Sequence, residues 1–369
     1  MRIGIDLTWL KPKKSGGAES YIRNILDGFL ELPDKNEYVL FTAKDNNETF
    51  THYLNDKRVE IVECNIYANK VLSHLLWQNF KQYKVIRKNN VDFCFFPVFK
   101  MPLYKSRKIK VATTIHDVQA LYFPEYFSKF QNFWFRLAWK LVLKTADTTI
   151  AISEFTKNDL EKFFKKHRKI VTIYNSIVLN DDKKVPFKDI AKEYGIEKDE
   201  YYYSVSSLLK HKNLLTLINT IEEIVAKDLP LPKKLVVSGV GGSQKQQLID
   251  MIKEKNLEEN IILTKFVSNE ERNCLIKNCN VFLFPSLFEG FGMPPIEAMM
   301  LGSKVITTKC ASLPEVTKGK CVYVNDPTDV NDWIKNIKKV QNMPKKALKF
   351  DEYNKEKISK DYLNLFYKI

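Results

Sequence analysis

Short apolar runs alternate along this chain with longer segments whose apolar residues recur at helical spacing. That alternation predicts an α/β protein built on parallel sheets. In the first half the spacing predicts strands at Arg2–Leu7, Tyr38–Thr42, Val59–Glu63, Asp92–Pro97, Val111–His116, Thr148–Ile152 and Ile170–Tyr174. A second series follows at Tyr202–Ser206, Lys234–Ser238, Ile261–Thr264, Val281–Pro285, Lys304–Thr307 and Val322–Val324. The polar, proline-closed stretch Leu179-Asn-Asp-Asp-Lys-Lys-Val-Pro186 separates the two series. It divides the chain near residue 180 into two Rossmann-like, doubly wound domains, 1–178 and 179–345. In the last segment, Ile358, Tyr362, Leu365 and Phe366 keep helical spacing and predict a terminal helix within 346–369. Two such domains imply a cleft, because ligands of doubly wound sheets bind outside the carboxyl ends of the strands.

With 369 residues, 44% hydrophobic and 28% charged, the chain is long and apolar enough for two globular cores. No stretch approaches the ~20 apolar residues of a membrane span, and Asp6 interrupts the only apolar run at the N-terminus. Six scattered cysteines without a Cys-x-x-Cys pair argue against a zinc site and fit a reducing, cytoplasmic setting. The net charge of +15 favours a polyanionic neighbour. No nucleic-acid-binding motif accompanies it, so a phosphorylated substrate or anionic lipid is the better match. A lysine-rich composition by itself would read the same way.

The densest chemistry lies in Glu289-Gly-Phe-Gly-Met-Pro-Pro-Ile-Glu297, after the strand Val281–Pro285. Two carboxylates flank a glycine turn, and two prolines mark the first turn of a helix, where a missing N–H costs nothing. Glu289 on the loop and Glu297 on the helix can hold different parts of one extended ligand. The helix start suits a phosphate. Two solvated glutamates on an ordinary strand–turn–helix would share the carboxylates but not the whole composite.

Other strand ends carry further candidates. Lys11-Pro-Lys-Lys-Ser-Gly16-Gly17 leads into a helix with Tyr21, Ile22, Ile25, Leu26 and Phe29 on one face. Paired glycines there suit an anion, although an ordinary βα turn looks alike, and no nicotinamide Gly-x-Gly-x-x-Gly is present. His116-Asp117 ends a strand, where active sites collect. Ser153 reads as a helix cap. Lys210-His211-Lys212-Asn213 places cations at a helix start, which the dipole disfavours unless an anion is bound. Gly239-Val-Gly241-Gly242 fits a tight turn and a nucleotide contact equally well. Finally, Arg136, Lys140 and Lys144 stripe an aromatic helix. That pattern fits either a solvated face or reversible docking on an anionic membrane.

The string Glu-Gly-Phe-Gly-x-x-x-x-Glu resembles the signature of retaining glycosyltransferases of the GT-B fold, family 4, and the resemblance extends over nearly the whole chain. It implies two facing Rossmann-like domains, an acceptor domain first and a nucleotide-sugar domain second, with the terminal helix crossing back onto the first. The residue roles follow from that resemblance. Glu297 would hold the ribose hydroxyls, and Lys212, with His211, would neutralise the leaving diphosphate. Glu289 and the N–H groups of Gly290, Phe291 and Gly292 would hold the donor sugar. Val267 would line the base pocket, and Gly16 and Gly17 would approach the phosphates from the first domain. His116 would contact the transferred sugar near the reacting centre. His116 through Glu125 resembles members that use GDP-mannose. The family has glycine at Ser206 and arginine at His211, so this chain departs from its phosphate clamp.

The expected activity is a retaining, metal-independent hexosyl transfer from a nucleotide-diphosphate sugar to a glycan or lipid-linked acceptor, in surface polysaccharide synthesis. No Asp-x-Asp motif or cofactor fingerprint is present. The expected location is the cytoplasm, with peripheral contact at the inner face of the membrane. The rivals are a sugar-nucleotide epimerase or phosphorylase on the same fold, and a non-enzymatic sugar-binding protein.

Overall fold

A computed structural model describes residues 1–12, 16–102, 108–179, 185–241, 245–265 and 267–369. It divides into two compact units, Met1–Val178 with Glu352–Ile369, and Leu179–Asp351.

The first unit is built on seven parallel strands: β1 (Arg2–Asp6), β2 (Glu37–Ala43), β3 (Val59–Cys64), β4 (Phe93–Phe96), β5 (Lys110–Ile115), β6 (Thr148–Ala151) and β7 (Lys169–Thr172). Their order is β3-β2-β1-β4-β5-β6-β7. Ile3 lies between Tyr38 on one side and Phe93 on the other. The second unit has six: β8 (Tyr201–Val205), β9 (Lys234–Ser238), β10 (Ile261–Leu263), β11 (Val281–Phe284), β12 (Val305–Thr308) and β13 (Val322–Val324). Here the order is β10-β9-β8-β11-β12-β13, also parallel, with Phe282 between Tyr203 and Val305.

All thirteen strands lie within two residues of the runs read from the sequence. Burial on both faces explains why: β4, β6, β11 and β12 are buried at every position, so they read as unbroken apolar or threonine-rich runs. The observed strands stop before Pro97, His116 and Pro285. Proline has no N–H for the ladder, and His116 already belongs to the loop.

Each sheet reverses its order beside its first strand, between β1 and β4 and between β8 and β11. At that point the following loops leave for opposite faces and open a crevice at the carboxyl ends.

The C-terminal helix Lys355–Lys368 belongs to the first unit and packs on helix Gly17–Glu31. The Tyr362 and Tyr21 hydroxyls meet at 2.6 Å, and the Phe366 ring packs edge-on or tilted among Phe29, Phe93 and Phe95. Gly28 makes this approach possible, since a Cβ there would sit 2.0 Å from Ser359 Oγ. The second unit runs past residue 345 to Asp351. Leu348 N–H donates to the Met299 carbonyl at 3.0 Å, and Lys320 Nζ sits 4.2 Å from the Phe350 ring centroid. Among the described residues, no helix is long and apolar enough to cross a membrane.

Candidate active site

In the second unit, the turns after β8 and β11 meet at the point where the strand order reverses. After β8 the chain forms the tight turn Lys210–Lys212, then Asn213 in the left-handed region (φ 52°), then helix Leu214–Ala226. Asn213 is suited to that conformation, and its side chain donates to the Pro327 carbonyl at 2.8 Å. Lys212 is thereby aimed across the crevice, and its Nζ donates to Glu289 Oε1 at 2.7 Å. Both side chains are largely shielded from water.

The loop carrying Glu289 is pinned from both sides. Leu287 N–H donates to the His211 carbonyl at 2.7 Å, and Ser286 Oγ reaches the same oxygen at 3.3 Å. Ser312 Oγ lies 2.9 Å from the Glu289 carbonyl and 3.0 Å from that of Phe291. The Phe288 and Phe291 side chains are buried beneath the turn. Gly292 has φ +84°, and a Cβ there would sit 2.7 Å from Leu313 Cδ2, so only glycine fits.

Helix Met293–Met300 follows, with Pro294 and Pro295 in its first turn. The prolines fit as expected, but they remove two first-turn donors. Of the first three helical N–H groups, only that of Met293 remains for an anion. Positive charge at this crevice therefore comes mainly from side chains.

Glu297, on that helix, faces Arg272 on helix Asn269–Asn278 at 3.4 Å. Burial raises the Glu297 carboxyl above its ordinary value, and Arg272 opposes the rise. Arg272 escaped the sequence reading. It follows Glu270 and Glu271 in a helix that starts with a Ser268–Glu271 capping box, and so looks like one more solvated charge. Ser312 was missed for a similar reason, since a serine before a proline-led helix reads only as a cap.

His211 changes most between sequence and structure. Its side chain is buried. Burial, then the adjacent Lys212 charge, lowers it to about 4. At neutral pH it is uncharged, and Lys212 alone carries positive charge in this turn's final two residues. Val267 lies half-buried on a separate loop just before the Ser268 cap. Gly239 and Gly241 follow β9, while Gly242 and Phe266 lie outside the described residues.

The first unit holds the remaining candidates. Gly16 caps helix Gly17–Glu31 and is exposed, as is Gly17; Ser15, Lys13 and Lys14 lie outside the described residues. Glu19, one turn on, pairs with Arg23 at 2.9 Å. His116 follows β5, and its Nε2 lies 2.9 Å from the Pro97 carbonyl. That bond makes Nε2 the donor and leaves Nδ1 as the acceptor in the neutral ring. Burial holds the ring neutral, at about 4. The Tyr21 ring packs edge-on at 4.7 Å. Ser153 accepts from Thr156 N–H at 3.1 Å as the cap of helix Glu154–Phe163.

Residues 15–181 match the Glycosyltransferase Family 4 model, and residues 186–357 match the Glycosyl transferases group 1 model. Together the two matches span nearly all of the chain. The O-antigen chain mannosyltransferase RfbU of Salmonella typhimurium is 28% identical over 254 residues. That match covers 69% of this chain and 66% of RfbU, just under two thirds of its length. The O-antigen biosynthesis glycosyltransferase WclY of Escherichia coli is 26% identical over 367 residues, covering 96% of this chain and 95% of that protein. Among solved structures, Anabaena Alr3699/HepE in complex with UDP-glucose superposes with a TM-score of 0.73 at 19% identity, covering all of both chains.

Proposed function

We propose that this chain, which belongs to the group 1, family 4 glycosyltransferases and has their GT-B architecture, transfers a hexose from a nucleotide-diphosphate sugar with retention. The observation that carries this reading is the Lys212–Glu289 pair, held where the second sheet reverses its order. A cation and a carboxylate fixed together there can address the two halves of one donor.

In the proposed reaction the bond from the anomeric carbon to the diphosphate oxygen breaks. The acceptor oxygen then bonds to the same face of that carbon, and its proton passes to the departing diphosphate. Lys212 stabilises the charge that develops on the leaving group. Glu289 turns a carboxylate oxygen toward the sugar hydroxyls, Glu297 holds the ribose, and the Gly290–Gly292 backbone and Val267 line the donor. His116 offers Nδ1 as an acceptor to the transferred sugar. Gly16 and Gly17 keep the phosphate-side role that the family resemblance implies. His211 contributes through its backbone carbonyl.

GDP-mannose is the favoured donor, supported by the His116–Glu125 string and by RfbU, named as a mannosyltransferase. The acceptor is a glycan or lipid-linked glycan of a surface polysaccharide, as the names of RfbU and WclY suggest. A panel of sugar nucleotides, assayed with and without EDTA, tests the reading. GDP-mannose should be consumed fastest, give an α-linked product, and react equally with chelator. Turnover of no sugar nucleotide would overturn the enzyme reading. Preference for UDP-glucose would move the donor, and loss with EDTA restored by magnesium or manganese would overturn metal independence.

A further inference from the structure

The segment 71–88 of the first unit is a helix that buries Trp77 and Ile86 yet keeps a second apolar face toward solvent. Val71–Trp77, the π-helical Gln78–Gln82 and Tyr83–Lys88 form one run. His74, Gln78 and Gln82, four residues apart, are buried. His74 Nε2 lies 3.1 Å from the Thr8 carbonyl, and Gln78 Nε2 donates to the Met101 carbonyl at 2.8 Å. Leu72, Leu76 and Phe80, also four apart, are 72%, 52% and 71% exposed. A helix on the surface of a soluble domain carries polar residues on its outward face, where this one carries Leu72, Leu76 and Phe80. Rolling the helix to bury its leucines would break the His74 and Gln78 bonds and leave those groups unsatisfied in the core. The apolar face is therefore fixed outward, and a contiguous apolar face of this kind marks a contact surface.

Charge identifies what it contacts. Between Glu63 and Asp92 the chain has no carboxylate side chain but carries Lys70, Lys81, Lys84, Arg87 and Lys88. All five are exposed. A second copy of this chain would bring the same five cations against themselves, so self-association is disfavoured. An anionic lipid surface satisfies both features, accepting the apolar side chains below its headgroups and the cations at its phosphates.

We propose that Leu72, Leu76 and Phe80 insert into the headgroup boundary of an anionic bilayer, with Lys81, Lys84, Arg87 and Lys88 on its phosphates. The proposal rests on no assignment of donor or acceptor. It differs from docking through Arg136, Lys140 and Lys144, which are exposed beside Phe130 and Phe133 on helix Lys129–Thr145.

The test is flotation of the full chain with phosphatidylcholine vesicles, with or without phosphatidylglycerol. Wild type should float only with the anionic vesicles, and less at high salt. The L72S/L76S/F80S variant should partition on the order of 100-fold more weakly, with sugar-nucleotide hydrolysis in solution unchanged. Should the triple variant lose its near-ultraviolet circular dichroism, Phe80→Ser alone carries the test and should still weaken flotation. Neutralising Arg136, Lys140 and Lys144 should weaken flotation less than the triple serine variant does. Three results would each overturn the proposal: wild type floating with neither vesicle, the serine variant floating like wild type, or a wild-type dimer in light scattering that the serine variant dissociates.

Discussion

Lys212 Nζ donates to Glu289 Oε1 at 2.7 Å, although the two residues lie 77 positions apart. Two groups expected to serve different parts of a donor thus hold each other in place. Each would be pre-positioned by the other before the donor arrives.

Lys212→Ala should lower transfer rate by roughly 10²–10³, the usual worth of one well-placed electrostatic donor. Glu289→Gln should also lower the rate. The double variant should lose less than the two single losses combined, because each single change also releases the partner. Steady-state kinetics on all three, with thermal melts as control, decide this. Strict additivity would separate the two roles.

Glu297→Ala should cost both nucleotide affinity and about 2 kcal/mol of stability, because it leaves the mostly buried Arg272 without its carboxylate. Glu297→Gln should recover much of the stability and little of the affinity. Urea unfolding and calorimetry with the cognate nucleotide separate the two effects.

His211→Arg, which restores the residue usual in the resembling family, should not strengthen donor binding here. The side chain at this position is buried beside Lys212. An uncompensated cation should destabilise the protein by about 3 kcal/mol or more. A variant with wild-type stability and tighter donor binding would show that the turn can open toward the diphosphate.

Asp6, buried at the end of β1, should make stability fall as pH rises. Burial pushes its carboxyl up to about 7 from an ordinary value of 3.8, against hydrogen bonds from Thr8. The folded state therefore holds the proton longer than the unfolded chain does. The contribution is fully present below about pH 4, declines between pH 4 and 7, and is gone above. Asp6→Asn keeps an acceptor for Thr8 and removes the titration. Its unfolding free energy should lack that slope and exceed wild type at pH 8, measured by urea denaturation across the range.

Periodicity settled much of this protein. Strands buried on both faces, such as β4, β6, β11 and β12, read as unbroken runs, and the partly exposed β3 and β7 still carry short β-branched runs, so all thirteen were legible, and with them the doubly wound class. The loop Glu289–Gly292 and the helix carrying Glu297 were legible because glycine, paired prolines and carboxylates have local conformational reasons to occur together. Helix Lys355–Lys368 was legible from Ile358, Tyr362, Leu365 and Phe366, all buried.

Only the tertiary structure decided which charges meet. A carboxylate's partner depends on strand order, and strand order brings the turns after β8 and β11 together while hiding that fact from any local pattern. Burial decided His211, since nothing in Lys210-His211-Lys212 distinguishes a solvated imidazole from one held neutral by its surroundings. Segment 71–88 shows the same limit in another form. Trp77 and Ile86 on one side and Leu72, Leu76 and Phe80 on the other give apolar residues to both faces. Spacing cannot say which face turns inward. The bonds of His74 to the Thr8 carbonyl and of Gln78 to the Met101 carbonyl fix that choice, and they exist only once the loops after β1 and β4 are in place.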